Sequence, residues 1–212
     1  MKFTQQFPEA ISDLKFATAT WGGMFLAAFL MMLFTAGMQF ASWQFAQISI
    51  LVGLPLIYGA YRVASANDSE LTSLCAVMIG AGCYGVIAGS FVKLTSDNNV
   101  YIMALQIMAV TSLFWFTEIK TPGLIAESPM VGVCLGLIPV ILATLIVTWI
   151  RGELWLSGVQ LVYAYFVGSM LVQYRFAWAG KHTLDNAIDF ALEFMFIIFK
   201  LIPLRWSQRG EK

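Results

Sequence analysis

Charged residues are scarce in this chain: only 11% of its 212 residues are Asp, Glu, Lys or Arg, against about a quarter in a typical soluble domain. Hydrophobic residues make up 59% of the sequence, and the mean hydropathy is +0.78. A soluble domain of this length cannot bury so much apolar surface. The scarcity of charge therefore predicts an integral membrane protein, with the lipid bilayer as its first partner.

An excess of basic residues is also lacking, since the net charge is zero and the isoelectric point is near 6.6. This balance argues against a nucleic-acid partner and against a polybasic lipid anchor. The three cysteines, Cys75, Cys83 and Cys134, lie in apolar runs without a CxxC pair, which predicts buried free thiols. The one histidine, His182, lies in a short polar stretch and is expected to be solvated.

Enzyme signatures are missing as well. The sequence contains no HExxH, no GxSxG and no P-loop. An intramembrane aspartyl hydrolase would need central acids on two different helices, and only one apolar run carries such acids. We therefore expect no enzymatic activity and no cofactor.

Long apolar runs are what the sequence has instead. A helix needs about 20 apolar residues to cross a bilayer, and six clear runs of that kind are followed by a seventh, less apolar one. The first run follows a polar stretch and is long enough to span, so we expect it to remain in the mature protein rather than to be a cleaved signal. The predicted spans are 18–40, 43–62, 71–93, 100–117, 128–150 and 154–175, with 184–204 as the seventh hydrophobic helix.

These runs predict an all-α, polytopic membrane protein in one compact domain. Residues 1–17 would form a cytoplasmic N-terminal segment, 18–204 a single membrane domain, and 205–212 a basic polar tail. Small residues recur at four-residue spacing, which lets membrane helices approach closely and predicts a tight bundle rather than a wide aqueous pore. The rows are Ala81, Gly85 and Gly89; Gly132 and Gly136; and Ala164 and Gly168.

The placement of Lys and Arg predicts the orientation. With a cytoplasmic N-terminus, six basic residues of the first six spans lie on the cytoplasmic side and two on the other. The tail adds four more. Full crossing of the seventh helix would make the count six against six, whereas re-entry would make it ten against two, so charge favours re-entry and length permits crossing. Short loops and a neutral isoelectric point suit a bacterial inner membrane.

Three of the few carboxylates share one face of the seventh helix, since Asp185, Asp189 and Glu193 are four residues apart. A carboxylate at mid-bilayer costs about 2.5–3.5 kcal/mol on insertion scales, so it faces protein or water and is a functional candidate. Adjacent carboxylates repel each other when ionised, which predicts a coupled, pH-responsive group. Alternatively, Asp185 or Thr183 caps the helix, and a hydrogen bond or ion pair inside the bundle holds Glu193.

Three stretches carry a resemblance to a known family. "YIMALQIMAVTSLFWFT" is similar to the fourth span of the Bax inhibitor-1 family, "LVYAYFVGSMLVQYRFA" to its sixth span, and "AIDFALEFMFIIFKLI" to its acid-bearing last helix. Six spans followed by a shorter acidic helix is also that family's order, and the resemblance extends loosely over most of the chain after residue 16. It implies a fold in which six helices wrap a central last helix.

The resemblance also implies a function and site residues. Members of the family are linked to pH-sensitive calcium leak, and bacterial members to membrane-protease regulation and stress. The family's paired aspartates fall on Glu193, which keeps a carboxylate, and on Gln173, which cannot ionise; an arginine of its second span corresponds to Arg62. The departure at Gln173 removes the proton-sharing carboxyl pair, so Glu193 would accept a hydrogen bond from Gln173 or act with Asp189.

Two functional hypotheses follow. In the first, the acid face of the last helix conducts or binds cations, with Asp185, Asp189, Glu193, Gln173 and Arg62 on the ion path or in pH sensing. Calcium prefers several oxygen ligands, so Asp189 and Glu193 are candidates for a weak calcium site, and a proton is the other candidate ion. In the second, the protein is a non-conducting membrane regulator whose acids make fixed hydrogen bonds or pair with a protein partner. A proton-coupled carrier is less favoured, because no inverted repeat is visible.

Overall fold

A computed structural model describes residues 10–65, 69–95, 99–152 and 158–193. Over these ranges the chain is all-α, as predicted, and contains no strand. The final described helix, α8, covers residues 184–193 and is the start of the predicted seventh hydrophobic helix; residues 194–204 lie outside the described ranges. The other helices are α1 Asp13–Gly37, α2 Trp43–Ser65, α3 Glu70–Thr95, α4 Asn99–Lys120, α5 Leu124–Glu127, α6 Pro129–Arg151 and α7 Gly158–Ala179, and a 3-10 turn, Met38–Phe40, extends α1.

Each of the six predicted spans coincides with a long helix. Four helical stretches, in α1, α2, α3 and α6, are long and apolar enough to cross a membrane, as the sequence predicts for these segments. They are Asp13–Phe40, Trp43–Val63, Glu70–Leu94 and Pro129–Ile150. The helices α4 and α7, of 22 residues each, occupy the fourth and sixth predicted spans.

Several helix boundaries differ from the predicted ones by three to five residues. The helix α1 begins at Asp13, five residues before the predicted span, and Phe16 and Ala17 are buried in the bundle. Between the fourth and fifth predicted spans the chain is partly helical, since α4 continues to Lys120 and α5 forms a further helical turn. The Gly123 backbone between them has φ +76°, a left-handed conformation that glycine adopts without strain.

The outer helices present apolar side chains away from the bundle. On α6, Leu145 is 60% exposed and Trp149 is 87% exposed, and on α2, Leu51 is 75% exposed. Water-soluble proteins rarely leave contiguous apolar surfaces of this extent uncovered. The exposed faces of α2 and α6 are therefore suited to contact with lipid.

The first glycine row lies at the contact between α1 and α3. A Cβ on Gly85 would lie 2.5 Å from the carbonyl oxygen of Met31, and one on Gly89 would lie 2.6 Å from the Cβ of Met38. The Thr35 hydroxyl lies within hydrogen-bond distance of two carbonyl oxygens, that of Met31 at 2.7 Å in its own helix and that of Gly85 at 3.1 Å across the contact. The prediction that small residues allow close helix approach is confirmed for this row.

The second glycine row lies at the contact between α6 and α7, and the third does not pack in the same way. A Cβ on Gly132 would collide with the side chain of Leu171, and one on Gly136 with Val167. By contrast, Gly168 is exposed and has nothing within 4 Å of its Cβ position, and Ala164 is exposed too. The Ala164–Gly168 row therefore makes no close helix contact within the described part of the chain.

Candidate functional site

The start of α8 is fixed by a side-chain cap. The Thr183 hydroxyl accepts a hydrogen bond from the backbone N–H of Asn186 at 3.2 Å, and the Thr183 carbonyl accepts one from Ala187 at 3.2 Å. This is the geometry of an N-cap, in which a Thr oxygen satisfies a backbone donor that has no partner within the helix. Of the two predicted caps, Thr183 therefore fills the role.

The first acid of the stripe contacts α3. The Ser73 hydroxyl, fully buried on α3, donates to Oδ1 of Asp185 at 3.4 Å, and Asp185 itself is half-buried. Since Asp185 lies in the first turn of α8, its negative charge also faces the positive end of the helix dipole. Asp185 therefore stabilises the N-terminus of α8 and also links α8 to α3.

The faces of α8 away from the acids are buried against α1 and α7. A Cβ on Gly23 of α1 would lie 2.7 Å from the Cβ of Ala191, and the Phe190 ring meets Tyr174 of α7 edge-on at 5.6 Å. Ala187 and Leu192 are buried as well. The ten residues of α8 therefore lie among α1, α3 and α7.

The three carboxylates occupy a half-buried face of α8. Asp185, Asp189 and Glu193 are each neither fully exposed nor sealed in the core. Two contacts show how α8 is aligned with α1. His182, just before α8 begins, stacks on Phe16, and Ala191, later in α8, meets Gly23, later in α1. The two helices therefore run parallel.

This pairing brings Glu193 to the level of the middle of the span Asp13–Phe40. Gly23 is the eleventh residue of that span, and Glu193 is two residues beyond the contact of Ala191 with Gly23. An α-helix rises 1.5 Å per residue, so Glu193 lies about 3 Å further along the helix axis than Ala191.

The two remaining predicted site residues lie on other helices. Gln173 is half-buried on α7, and Arg62 is exposed in the last turn of α2. Within the described ranges no hydrogen bond or ion pair joins either of them to Glu193, so the predicted hydrogen bond from Gln173 to Glu193 is not formed. Among the described residues, no group of three or more His, Cys, Asp or Glu could hold a metal ion.

A polar cluster that the sequence reasoning missed lies where α1 begins and α7 ends. The Nδ1 atom of His182 is 3.0 Å from Oδ1 of Asp13, and Nε2 is 3.1 Å from the Trp178 carbonyl oxygen. The His182 ring stacks on Phe16 at 4.5 Å, and its side chain is only 18% exposed. The expectation of a solvated histidine was therefore wrong, because contacts across 169 positions of sequence enclose the ring.

A second missed group is Glu118, whose side chain is only 3% exposed at the end of α4. Its carboxylate accepts hydrogen bonds from the backbone N–H of Gly123 at 2.8 Å and from that of Ile125 at 3.2 Å. The buried Tyr174 hydroxyl lies near this carboxylate and has no hydrogen-bond partner among the described residues. Glu118 thus holds the turn between α4 and α5 and serves structure.

Tryptophans near the same end tie α1 to α4. The Trp21 and Trp115 rings stack at 4.7 Å. The indole nitrogen of Trp21 lies 3.4 Å from the Ser112 hydroxyl oxygen, and the indole nitrogen of Trp115 lies 3.4 Å from the Thr18 hydroxyl oxygen. These contacts lie on the half of α1 that also holds the His182 cluster, at the end of the bundle where α8 starts.

No family model matches the sequence, and neither a curated protein nor a solved structure shows significant similarity to it.

Proposed function

We propose that all six long helices cross the membrane and that the acid face of α8 lines a pH-sensitive leak path for cations, with calcium as the first candidate. One observation carries the proposal: Asp185, Asp189 and Glu193 share a half-buried face of a helix that packs among α1, α3 and α7. Carboxylates at this depth are costly in lipid and favour a protein or water environment. A half-buried acid face inside a bundle meets that requirement.

The chemistry of the face suits a passing cation better than a tightly bound one. Calcium takes six to eight oxygen ligands, and the described part of the chain offers no cluster of three acids, cysteines or histidines for it. Asp189 and Glu193, one turn apart, would attract a cation without enclosing it. Protonation of either carboxylate would remove that attraction, which is the source of the proposed pH dependence.

The resemblance to Bax inhibitor-1 proteins supports the same proposal. It implies a central last helix, and α8 contacts three other helices. It also implies an acid at Glu193, which lies at the level of the middle of α1. We further propose that the chain resides in a bacterial inner membrane with its N-terminus in the cytoplasm.

Flux into liposomes tests the proposal. Purified protein is reconstituted in vesicles that contain a calcium indicator, and calcium entry is measured from pH 5 to pH 8 for the wild type and for Glu193→Gln. The matched control is Glu127→Gln, because Glu127 is an exposed acid on α5, outside the acid face. We expect pH-dependent entry in the wild type and in the control, and a smaller pH dependence in Glu193→Gln.

A second candidate function is a non-conducting regulator of another membrane complex. It is favoured by the close contact of Ala191 with Gly23 and by the hydrogen bond from Ser73 to Asp185, since both fix α8 in place. The neutral side chain of Gln173 points the same way, because it cannot share a proton with Glu193.

The flux experiment separates the two functions. If the folded protein gave no more calcium entry than empty vesicles at any pH, the leak would be excluded. Site-specific photocrosslinking in native membranes would then compare position 193 with position 145, an exposed site on α6. A discrete crosslinked protein from position 193, absent from position 145, would support the regulator.

A further inference from the structure

Both ring nitrogens of His182 face hydrogen-bond acceptors. Nδ1 lies 3.0 Å from a carboxylate oxygen of Asp13, and Nε2 lies 3.1 Å from the backbone carbonyl of Trp178. A neutral imidazole carries one N–H and one lone pair, whereas the imidazolium carries two N–H donors. Only the protonated ring can therefore donate to Asp13 and Trp178 together.

The aromatic surroundings of the ring suit the same form. Phe16 stacks on it at 4.5 Å with an interplanar angle of 19°, and the Trp178 ring centroid lies 4.7 Å away. The faces of aromatic rings attract cations, and this attraction strengthens where water is largely excluded. The His182 side chain is 18% exposed, so water reaches it only in part.

We propose that His182 and Asp13 form a pH-sensitive latch that ties the start of α1 to the start of α8. The backbone supports this tie, since the N–H of Ile11 donates to the His182 carbonyl at 2.7 Å. The next residue, Thr183, is the N-cap of α8. A change at His182 is therefore transmitted directly to the first turn of the acid-bearing helix. The latch does not require ion conduction.

The other charged groups near the latch are either exposed to solvent or bound to other partners. Lys15 on α1, Arg175 on α7 and Lys181 beside the ring are exposed. Asp185 on α8 is held by Ser73, and Glu118 on α4 is bound to backbone N–H groups. Among the described residues, the contact with Asp13 is the one ion pair that His182 makes.

The direction of the pH effect follows from the donors. While Asp13 is ionised and His182 is protonated, both hydrogen bonds and the ion pair are present and the latch is closed. As the pH rises and the imidazolium loses a proton, one ring nitrogen turns a lone pair towards an acceptor, and the latch weakens. Both hydrogen bonds are therefore present together only while the ring carries two protons.

Hydrogen–deuterium exchange of the full-length protein in detergent micelles tests the latch. The readout is the protection of amides in residues 184–192, corrected for the intrinsic pH dependence of exchange, at pH 5.5 and pH 8. We expect protection in the wild type to fall about threefold to fivefold at the higher pH, the size of one partly exposed ion pair. His182→Phe should lose this pH dependence while it keeps an aromatic ring in the stack. Asp13→Asn should reduce the pH dependence, because it removes the ion pair but leaves the Trp178 carbonyl as an acceptor.

The control is Glu127→Gln, which should keep the pH dependence because Glu127 is exposed on α5. Equal protection at both pH values in the wild type would overturn the latch, as would an undiminished pH dependence in Asp13→Asn and His182→Phe. A second measurement needs no variant: His182 is the one histidine in the chain, so nitrogen NMR of histidine-labelled protein reports this ring alone. A ring that remains neutral at pH 5.5 would also overturn the proposal.

Discussion

Gly23 of α1 and Ala191 of α8 meet so closely that a Cβ on Gly23 would lie 2.7 Å from the Cβ of Ala191. Both atoms would be attached directly to helix backbones, so neither could rotate away. This contact positions the acid face of α8 beside the middle of α1. It is also the most direct place to test whether the packing of α8 stabilises the protein.

Gly23→Ala is expected to destabilise the fold by about 1–3 kcal/mol, because an inserted methyl forces the helices apart. The adjacent variant Gly22→Ala is the matched control, since nothing lies within 4 Å of its Cβ position. Denaturant titration in micelles measures both. The double variant Gly23→Ala with Ala191→Gly should recover most of the loss, and equal stability of the two single variants would contradict the contact.

The contact between α1 and α3 gives a second prediction. Gly85→Ala would bring a methyl to 2.5 Å from the Met31 carbonyl, a backbone atom that cannot move independently, so we expect a loss of about 1–3 kcal/mol. Gly168→Ala, in open space on α7, should leave stability unchanged or slightly raised. Thermal unfolding, monitored by circular dichroism, compares the two variants. If Gly168→Ala were destabilised and Gly85→Ala were not, the close contact at Gly85 and the open space at Gly168 would both be refuted.

Glu118 gives a third prediction through its two backbone hydrogen bonds. In Glu118→Gln one oxygen becomes an NH2 group, which cannot accept a hydrogen bond from the N–H of Gly123 or Ile125. Hydrogen bonds to charged groups contribute about 1.5–3 kcal/mol, and we expect a loss of that order in denaturant titration. The same exchange at Glu127, which is exposed, should cost less than about 0.5 kcal/mol.

The N-cap of α8 gives a fourth prediction. Thr183→Ala removes the hydroxyl that accepts from the Asn186 N–H, and loss of such a cap costs about 1 kcal/mol. We expect faster hydrogen exchange at the start of α8 while exchange in α4 stays unchanged. Thr183→Ser keeps the oxygen and should behave as the wild type; similar exchange in Thr183→Ala and Thr183→Ser would argue against the cap.

The proposed orientation gives a fifth prediction. Single cysteines are introduced by Thr121→Cys after α4 and by Gln44→Cys at the start of α2, in a chain whose own cysteines are replaced; both positions are exposed. In intact cells, a membrane-impermeant thiol reagent should label position 44 and leave position 121 unlabelled until the membrane is opened. The opposite pattern would invert the orientation, and labelling of both would contradict the six crossings.

Several features of this chain were accessible from its sequence because they depend on neighbouring residues. The lengths of the apolar runs located all six long helices. Residue type offered Thr183 and Asp185 as caps of α8, and the structure shows that Thr183 is the cap. Four-residue spacing placed small residues on one helix face, which predicted close packing. Spacing alone could not show which rows are used: Gly85 and Gly132 meet another helix, whereas Gly168 does not.

The tertiary structure decided the features that depend on residues far apart in the chain. His182 is enclosed because Asp13 and Phe16, more than 160 positions earlier, lie at the same end of the bundle. Likewise, Asp185 meets Ser73 across 112 positions, a partner that no local pattern indicates. The preference of a segment for lipid or water depends on the residues of that segment alone, so the sequence is enough to predict it. A hydrogen bond requires two groups within about 3 Å, and only the packing of the helices brings such pairs together.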